Sequence, residues 1–248
     1  MNASALFLDL RFDLLSIDEV AHWISKRDRD SSFAYIVTPN VDHLVRLAKA
    51  QAEVRAAYRD ATLCVCDSRV LARLARMTGT DLTLVPGSDL SAALFKAVLR
   101  PGDRVCLIGS TTDDAAQLRN VYPKLEIVQH VPPFGLRENA AARARAITFA
   151  ADALARVTLL AVGSPQQELL AHEMGQDGRV RGTAMCIGAS VEFLVGPQKR
   201  APRFVQKSGM EWAWRLAREP RRLARRYLVE GPAIFALVWR WHRARRPI

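Results

Sequence analysis

Residues 156–168 read RVTLLAVGSPQQE, and residues 185–195 read MCIGASVEFLV. Each segment is a short apolar run that ends in a polar loop containing glycine. Runs of this kind are typical of strands buried on both faces of a parallel sheet, where ligands bind outside the carboxyl ends of the strands. The polar side chains expected at that edge after the first run are Ser164, Gln166, Gln167 and Glu168.

The same unit recurs along the chain, because apolar runs of four to six residues alternate with segments of helical spacing. The runs begin at Ala34, Leu63, Val105, Ile127, Val157 and Met185. This alternation predicts an α/β fold, a Rossmann-like and mostly parallel sheet with helices on both faces. Alternation over residues 5–15 predicts an N-terminal hairpin, and Ser16 with Glu19 predicts a capping box at the next helix.

With 248 residues, the chain has room for one domain of ordinary size and an appendage. We predict an α/β catalytic domain over residues 1–196 and an arginine-rich helical appendage over residues 197–248. The strand pattern ends and the charge changes near Gly196. Pro220 and Pro232 break the helical spacing of the appendage, which predicts three short helices.

The net charge of +11 comes entirely from the appendage. Residues 1–198 hold 22 basic and 22 acidic residues, whereas residues 199–248 hold 14 basic and 3 acidic residues. A concentrated basic patch attracts phosphate groups, so the candidate partners are nucleic acid, an anionic membrane surface and a diphosphate-bearing substrate. Charge alone does not choose among them.

The last helix carries an apolar stripe with arginines beside it. Its members are Ile234, Leu237, Val238 and Trp241. A basic amphipathic helix is typical of a membrane interface, and Trp239 and Trp241 favour that interpretation. The alternative is that the stripe packs on the body and leaves the arginines in solvent. Because no run approaches the roughly 18 apolar residues of a membrane span, we expect a cytoplasmic protein, peripheral on the inner face of the membrane.

Polar residues also follow the upstream apolar runs. Asp67 stands at the end of a buried run, where an aspartate can take a proton from an attacking hydroxyl; alternatively, Asp67 or Ser68 caps the next helix. Thr38 and Asn40 offer a hydroxyl and an amide to an anion beside a helix N-terminus, although Asn40 suits an N-cap equally well. Gly109 opens the polar loop after a third run and is a further candidate for substrate contact.

The sequence lacks the motifs of metal binding, dinucleotide binding and P-loop nucleotide binding. Asp28 and Asp30 form an Asp-x-Asp sequence, but they precede a strand in a polar connection, so we interpret them as a solvated loop. No histidine has a partner at metal-ligand spacing, no Gly-x-Gly-x-x-Gly follows the first strand, and no Walker sequence occurs. We therefore predict neither a metal nor a cofactor.

A larger set of residues resembles the signature of the WecB/TagA/CpsF family of bacterial glycosyltransferases. The set comprises Pro165-Gln166-Gln167-Glu168, residues 196–202, Glu211-Trp212, Arg215-Leu216, Glu219-Pro220 and Arg225-Arg226-Tyr227. Thr38-Pro39-Asn40, Asp67 and residues 86–90 fall in the family's order, so the resemblance spans nearly the whole chain. The chain has Cys66-Asp67-Ser68 where the family usually has Pro-Asp-Gly.

The resemblance implies an inverting, metal-independent enzyme. It would move a sugar from a UDP-sugar, for example UDP-N-acetylmannosamine or another UDP-hexose, to a polyprenyl-diphosphate-linked acceptor in exopolysaccharide, capsule or cell-wall polymer assembly. The family's general base matches Asp67, Thr38 matches a diphosphate contact, and Gln167 is the stronger of two residues that could orient the sugar or acceptor.

Without a metal, the appendage is expected to neutralise the leaving diphosphate through Arg215, Arg222 and Arg225. Two alternatives remain. One is a nucleic-acid-binding protein that uses the basic arm, although it leaves the polar strand ends unexplained. The other is a non-catalytic sugar-nucleotide-binding scaffold. The sequence leaves a homo-oligomer open.

Overall fold

The structure is a computed structural model that describes residues 3–195, 205, 211–218 and 220–245. Its strands are β1 (Ser4–Phe7), β2 (Leu10–Asp13), β3 (Ala34–Val37), β4 (Leu63–Cys64), β5 (Arg104–Gly109), β6 (Glu126–His130), β7 (Val157–Ala161) and β8 (Thr183–Cys186). Strands β3 to β8 form one parallel sheet in the order β4-β3-β8-β7-β5-β6, and β1 and β2 form an antiparallel hairpin. The predicted α/β fold is confirmed.

The helices follow the strands in the expected alternation. They are α1 (Ile17–Ser25), α2 (Val41–Leu47), α3 (Ala52–Arg59), α4 (Arg69–Met77), α5 (Gly87–Ala93), α6 (Thr112–Val121), α7 (Ala140–Ala153), α8 (Gln166–Asp177), α9 (Val191–Val195), α10 (Glu211–Arg218), α11 (Pro220–Ala224) and α12 (Ala233–Ala244). Turns of π-helix cover Leu94–Val98 and Arg225–Glu230, and a 3₁₀ turn covers Gly188–Ser190. The capping box at the start of α1 is formed by Ser16 and Glu19 as predicted.

Side chains along the sheet alternate between two hydrophobic cores. Tyr35 and Val37 of β3 face a core shared with α2, α3, α4, α7, α8 and α12. Ile36, between them, faces a second core shared with α1, α5, α6 and α9. The four cysteines are buried and free, as expected of small apolar core residues. Both faces of the sheet are therefore covered.

The adjacent strands β3 and β8 send their following helices to opposite faces. Helix α2 follows β3 and packs in the first core, while α9 follows β8 and packs in the second. Where neighbouring connections diverge in this way, a crevice opens outside the carboxyl ends of the strands. By this rule, ligands are expected between the loop after β3 and the loop after β8, and we call this region the crevice.

Helix α12 packs against the body. Ile234 and Val238 are only 1% and 8% exposed and belong to the first core, while Leu237 and Trp241 pack against it. The indole Nε1 of Trp241 donates to Asp9 Oδ1 at 3.1 Å. The interpretation that this stripe faces a membrane is therefore wrong, because the stripe packs in the hydrophobic core of the protein instead.

The outward face of α12 differs. Phe235 and Trp239 are 60% and 59% exposed, and the guanidinium of Arg243 lies 4.8 Å from the Trp239 ring centroid. No helix in the described ranges is both long and apolar enough to cross a bilayer. Helices α10, α11 and α12 lie where three short helices were predicted, but the predicted boundary near residue 196 falls outside the described residues, so the two-domain division stays a prediction.

Neighbouring side chains on α12 provide a test of its docking. We expect Ile234→Ala to lower the free energy of unfolding by about 2–5 kcal/mol, because it leaves a cavity in the first core. Phe235→Ala, on the exposed face of the same helix turn, should change it by less than about 0.5 kcal/mol. Urea denaturation of both variants measures the difference, and equal effects would contradict the docked position of α12.

Candidate active site

Asp67 lies at the carboxyl end of the sheet, partly exposed, just beyond β4. Strand-like pairing continues past β4, since the backbone N–H of Asp67 donates to the carbonyl of Pro39 at 3.2 Å. One carboxylate oxygen, Oδ1, accepts the backbone N–H of Gly87 at 2.6 Å. The other, Oδ2, lies 3.4 Å from the amide Nδ2 of Asn40. Asp67 is therefore held by the loops that follow β3 and precede α5.

The sequence left open whether Asp67, Ser68 and Asn40 cap helices, and the structure shows caps at Ser68 and Asn40. Ser68 caps α4, because its hydroxyl accepts the backbone N–H of Leu71 at 3.2 Å. Asn40 caps α2, and its Oδ1 accepts the backbone N–H of Asp42 at 3.1 Å. Asp67 does not cap α4 and instead binds the first residue of α5. A cap is thus present at Ser68, and the Asp67 carboxylate stands at the crevice.

Gly87 marks the point where three loops converge. A β-carbon on Gly87 would lie 3.1 Å from Thr38 Oγ1 and 3.7 Å from both Asp67 Oδ1 and Ser190 Oγ. These side chains come from the loops after β3, β4 and β8. The structure therefore brings Thr38 and Asp67 together as the sequence suggested, and it adds Ser190, whose signal was its position in a glycine-containing loop after a buried run.

A second polar group lies between the loops after β7 and β8. We call Tyr58, Ser164, Gln167, Glu168 and Cys186 the Glu168 cluster. Gln167 Oε1 accepts the backbone N–H of Gly188 at 2.9 Å, and its Nε2 donates to Glu168 Oε1 at 2.8 Å. Gln167 is 2% exposed and Glu168 has no exposed surface. The first turn of α8, which carries these two residues, is therefore buried.

Burial shifts the titration of this cluster. Removal of water from around Glu168 raises the pKa of its carboxyl, and hydrogen bonds, first that of Gln167, oppose the shift without cancelling it. Burial also raises the pKa of the Tyr58 hydroxyl, and the neighbouring Glu168 adds to this effect. The Tyr58 hydroxyl lies 3.1 Å from Ser164 Oγ. The environment therefore favours the neutral forms of both side chains.

The remaining strand-end candidates occupy the same edge of the sheet. Gly109 has φ +92°, and a β-carbon there would lie 2.7 Å from the carbonyl oxygen of Ala161, so glycine is required where β5 meets β7. The carbonyl of Ser164 accepts a hydrogen bond from Arg46 Nη1 at 3.3 Å. Gln166 is partly buried at the first position of α8. Ligand contact by Gly109, Ser164 and Gln166 stays a prediction.

The appendage reaches the same region. The turn Arg225–Glu230 contacts α2, the helix that begins beside Asn40. Arg225 is well exposed and forms an ion pair with Glu230 at 3.1 Å. Arg215 and Arg222 lie on α10 and α11, but their side chains fall outside the described residues. Their predicted role at a diphosphate therefore stays a prediction.

The Asp-x-Asp sequence lies at the opposite end of β3 from Thr38, in the connection before this strand. Asp28 and Asp30 are exposed, and Asp28 Oδ1 accepts from Ser31 Oγ and the backbone N–H of Asp30, both at 3.0 Å. The Asp28 carboxylate stabilises a local turn at the amino-terminal edge of the sheet. Within the described part of the chain, no three His, Cys, Asp or Glu side chains are grouped to hold a metal ion.

The site combines one carboxylate with two hydroxyls at the carboxyl edge of the sheet. This arrangement is typical of α/β enzymes, whose sites lie at that edge. The family model of the glycosyl transferase WecG/TagA/CpsF family matches residues 5–247, and the chain belongs to this family. The protein is therefore a glycosyltransferase of cell-wall or polysaccharide biosynthesis. The family implies a sugar-nucleotide donor and a lipid-linked acceptor in general terms.

Proposed function

We propose that the protein is an inverting, metal-independent glycosyltransferase that moves a sugar from a UDP-sugar to a polyprenyl-diphosphate-linked acceptor. The observation that carries this proposal is the convergence of Asp67, Thr38 and Ser190 around Gly87. It supplies a proton acceptor and neutral hydrogen-bond donors in one crevice. The family supports the glycosyl transfer itself.

In the proposed reaction, Asp67 is the general base. The acceptor hydroxyl oxygen attacks the anomeric carbon and its proton passes to the Asp67 carboxylate, while the bond to the diphosphate oxygen breaks and UDP departs with the electron pair. The Gly87 N–H fixes Oδ1 at 2.6 Å, which orients the carboxylate before substrate arrives. One base and one displacement give inversion at the anomeric carbon.

The departing diphosphate requires positive charge or hydrogen-bond donors. We assign that role to the Thr38 hydroxyl and to Arg215, Arg222 and Arg225 of the appendage. The basic surplus of residues 199–248 and the contact of the Arg225–Glu230 turn with α2 support this assignment. The family match favours a diphosphate over nucleic acid as the partner of the appendage.

We further propose that the protein associates with an anionic membrane surface through the outward face of α12. Phe235 and Trp239 are one helical turn apart and exposed, and arginines adjoin them at positions 240 and 243. Aromatic side chains flanked by cations suit the interface of an anionic bilayer. The acceptor's lipid would then lie close to the enzyme.

Substitutions at Asp67 and at its neighbour Ser68 test whether Asp67 is a catalytic base or a structural residue. We expect Asp67→Asn to lower turnover by about 10²–10⁴-fold, since the amide keeps the shape and loses the proton acceptor. The adjacent variant Ser68→Ala, which removes only the cap of α4, should lose about 1 kcal/mol of stability and keep its turnover. The assay measures UDP release from a panel of UDP-sugars with a short-chain lipid-diphosphate acceptor.

Two outcomes of that assay count against the mechanism. Retention of more than about a third of wild-type turnover by Asp67→Asn is incompatible with loss of a positioned base. A wild-type activity that disappears in excess EDTA and returns with Mn²⁺ or Mg²⁺ would contradict metal independence. Equal turnover with and without EDTA is the expected result.

Point substitutions on α12 test membrane contact without removing the docked helix. We expect Phe235→Ser with Trp239→Ser to weaken co-sedimentation with anionic vesicles at least tenfold, because each buried aromatic contributes roughly 1.5–3 kcal/mol. Turnover of a short-chain acceptor should be unchanged. The control is Met77→Ser, which removes another exposed apolar side chain. Unchanged vesicle binding by the double variant would exclude this face as the membrane contact.

A further inference from the structure

Glu168 is a fully buried carboxyl in the first turn of α8. It has no exposed surface, and no ion pair joins it to a basic side chain in the part of the chain that the structure describes. Its Oε1 accepts from Gln167, whereas its Oε2 makes no hydrogen bond of good geometry within the described residues, although the hydroxyls of Tyr58 and Ser164 lie close enough to affect its titration. A polar atom buried in this way costs free energy, so its retention in the core calls for a role. A side chain with no exposed surface does not meet a substrate directly.

We propose that Glu168 is a positioning residue for sugar transfer: its carboxyl fixes the Gln167 amide, which holds the loop after β8 against the crevice that contains Asp67. The inference rests on the proposed transfer function, and it assigns Glu168 to an indirect role instead of the substrate contact expected from the sequence. The geometry that carries it is a continuous series of contacts from Glu168 to Ser190.

The first contact sets the orientation of an amide. Gln167 accepts at Oε1 from the Gly188 N–H and donates from Nε2 to Glu168 Oε1. If the amide were turned over, its NH₂ group would face the Gly188 N–H, placing donor against donor. An acceptor oxygen at Glu168 therefore selects the orientation in which Gln167 can bind Gly188.

The second contact transmits that orientation to the site. Gly188 begins the turn Gly188–Ser190, and its φ of +52° lies in the left-handed region that suits glycine. Ser190, at the end of this turn, lies beside Thr38 and Asp67 around Gly87. Loss of the Gln167 clamp would free the turn, and displacements of about 1 Å near reacting groups can cost about 10²-fold in rate.

The surroundings of Glu168 favour a neutral carboxyl in this role. Tyr58 faces it from α3 and Cys186 from β8, while Ser164, whose carbonyl binds Arg46 of α2, adjoins it from the loop after β7. A neutral acid keeps one acceptor oxygen for Gln167 and offers one O–H to the hydroxyls of Tyr58 and Ser164. Burial raises the pKa of Glu168, consistent with that form.

Two substitutions at position 168 separate hydrogen bonding from volume. Glu168→Gln keeps an acceptor and a donor, and we expect turnover within about threefold of wild type. Glu168→Leu fills the space without either group, and we expect kcat to fall by about 10–100-fold while UDP affinity changes by less than about threefold. Glu173→Gln, on the same helix but paired outward with Arg143, is the matched control and should keep its turnover.

Equal turnover of folded Glu168→Leu and wild type would overturn the positioning role. So would an equal loss in Glu168→Gln and Glu168→Leu, because the first retains the hydrogen bonds that the proposal requires. A loss in Glu173→Gln as large as that in Glu168→Leu would show a general effect of α8, which also overturns it.

A stability measurement tests the contact without enzyme activity. With a raised pKa in the folded state, the neutral carboxyl contributes stability that is fully present below its ordinary value of 4.5 and is lost as pH rises through the raised value. Glutamine does not ionise, so the Tm of Glu168→Gln relative to wild type should increase with pH over this window and then level off. A pH-independent difference would overturn the neutral cluster.

The two measurements distinguish the inference from the function on which it rests. A wild-type protein that transfers no sugar from any UDP-sugar, yet shows the pH-dependent Tm difference, would count against the proposed function and support the assigned contact. An active wild type with the Tm difference but with full turnover in Glu168→Leu would leave the function standing and overturn the positioning role.

Discussion

The hydrogen bond from the Gly87 N–H to Asp67 Oδ1, 2.6 Å long, is the interaction on which the site depends. Helix α5 begins after Pro86, whose apolar ring cannot accept a hydrogen bond, so the first N–H of the helix requires an acceptor from elsewhere. Asp67 supplies one, and a charge-assisted bond of this kind contributes roughly 1.5–3 kcal/mol. The bond joins the end of a sheet strand to a helix of the neighbouring layer. Because Gly87 has no β-carbon, Thr38 and Ser190 have room beside it.

The fold could be predicted because most strands of the parallel sheet contain a short apolar run that is followed by a polar or glycine residue. The six apolar runs and the hairpin identified the types of the elements. The strand order could not be predicted in this way, because it depends on contacts between distant segments, such as β3 with β8, and local periodicity carries no information about them. The stripe of α12 shows the same limit. Spacing identifies Ile234 and Val238 as one apolar face, yet a membrane and a protein core bury such a face equally well.

For the site, strand ends identified Thr38 and Asp67, because all parallel strands of a sheet place their carboxyl ends at one edge. Tyr58 and Ser190 were not identified. Tyr58 lies in the last turn of α3, away from any strand end, and its hydroxyl reaches Ser164 through the packing of α3 on α8. Gln167 and Glu168 were identified as polar strand-end residues, but their burial follows from neighbouring helices, and sequence does not reveal which polar side chains a fold encloses.

The carboxylates of Asp67 and Glu168 differ in access, and access decides which of these two candidates can act as a base. A general base must reach the proton that it removes, within hydrogen-bond distance of the substrate. Asp67 is partly exposed at the crevice, with Gly87 holding one of its oxygens. Glu168 is enclosed and bonded to Gln167. An enclosed carboxyl can control the loop that shapes the crevice, but it can take no proton from a bound sugar. Of these two, we therefore propose Asp67 as the base, and we assign to the buried carboxyl the positioning of the turn that carries Ser190.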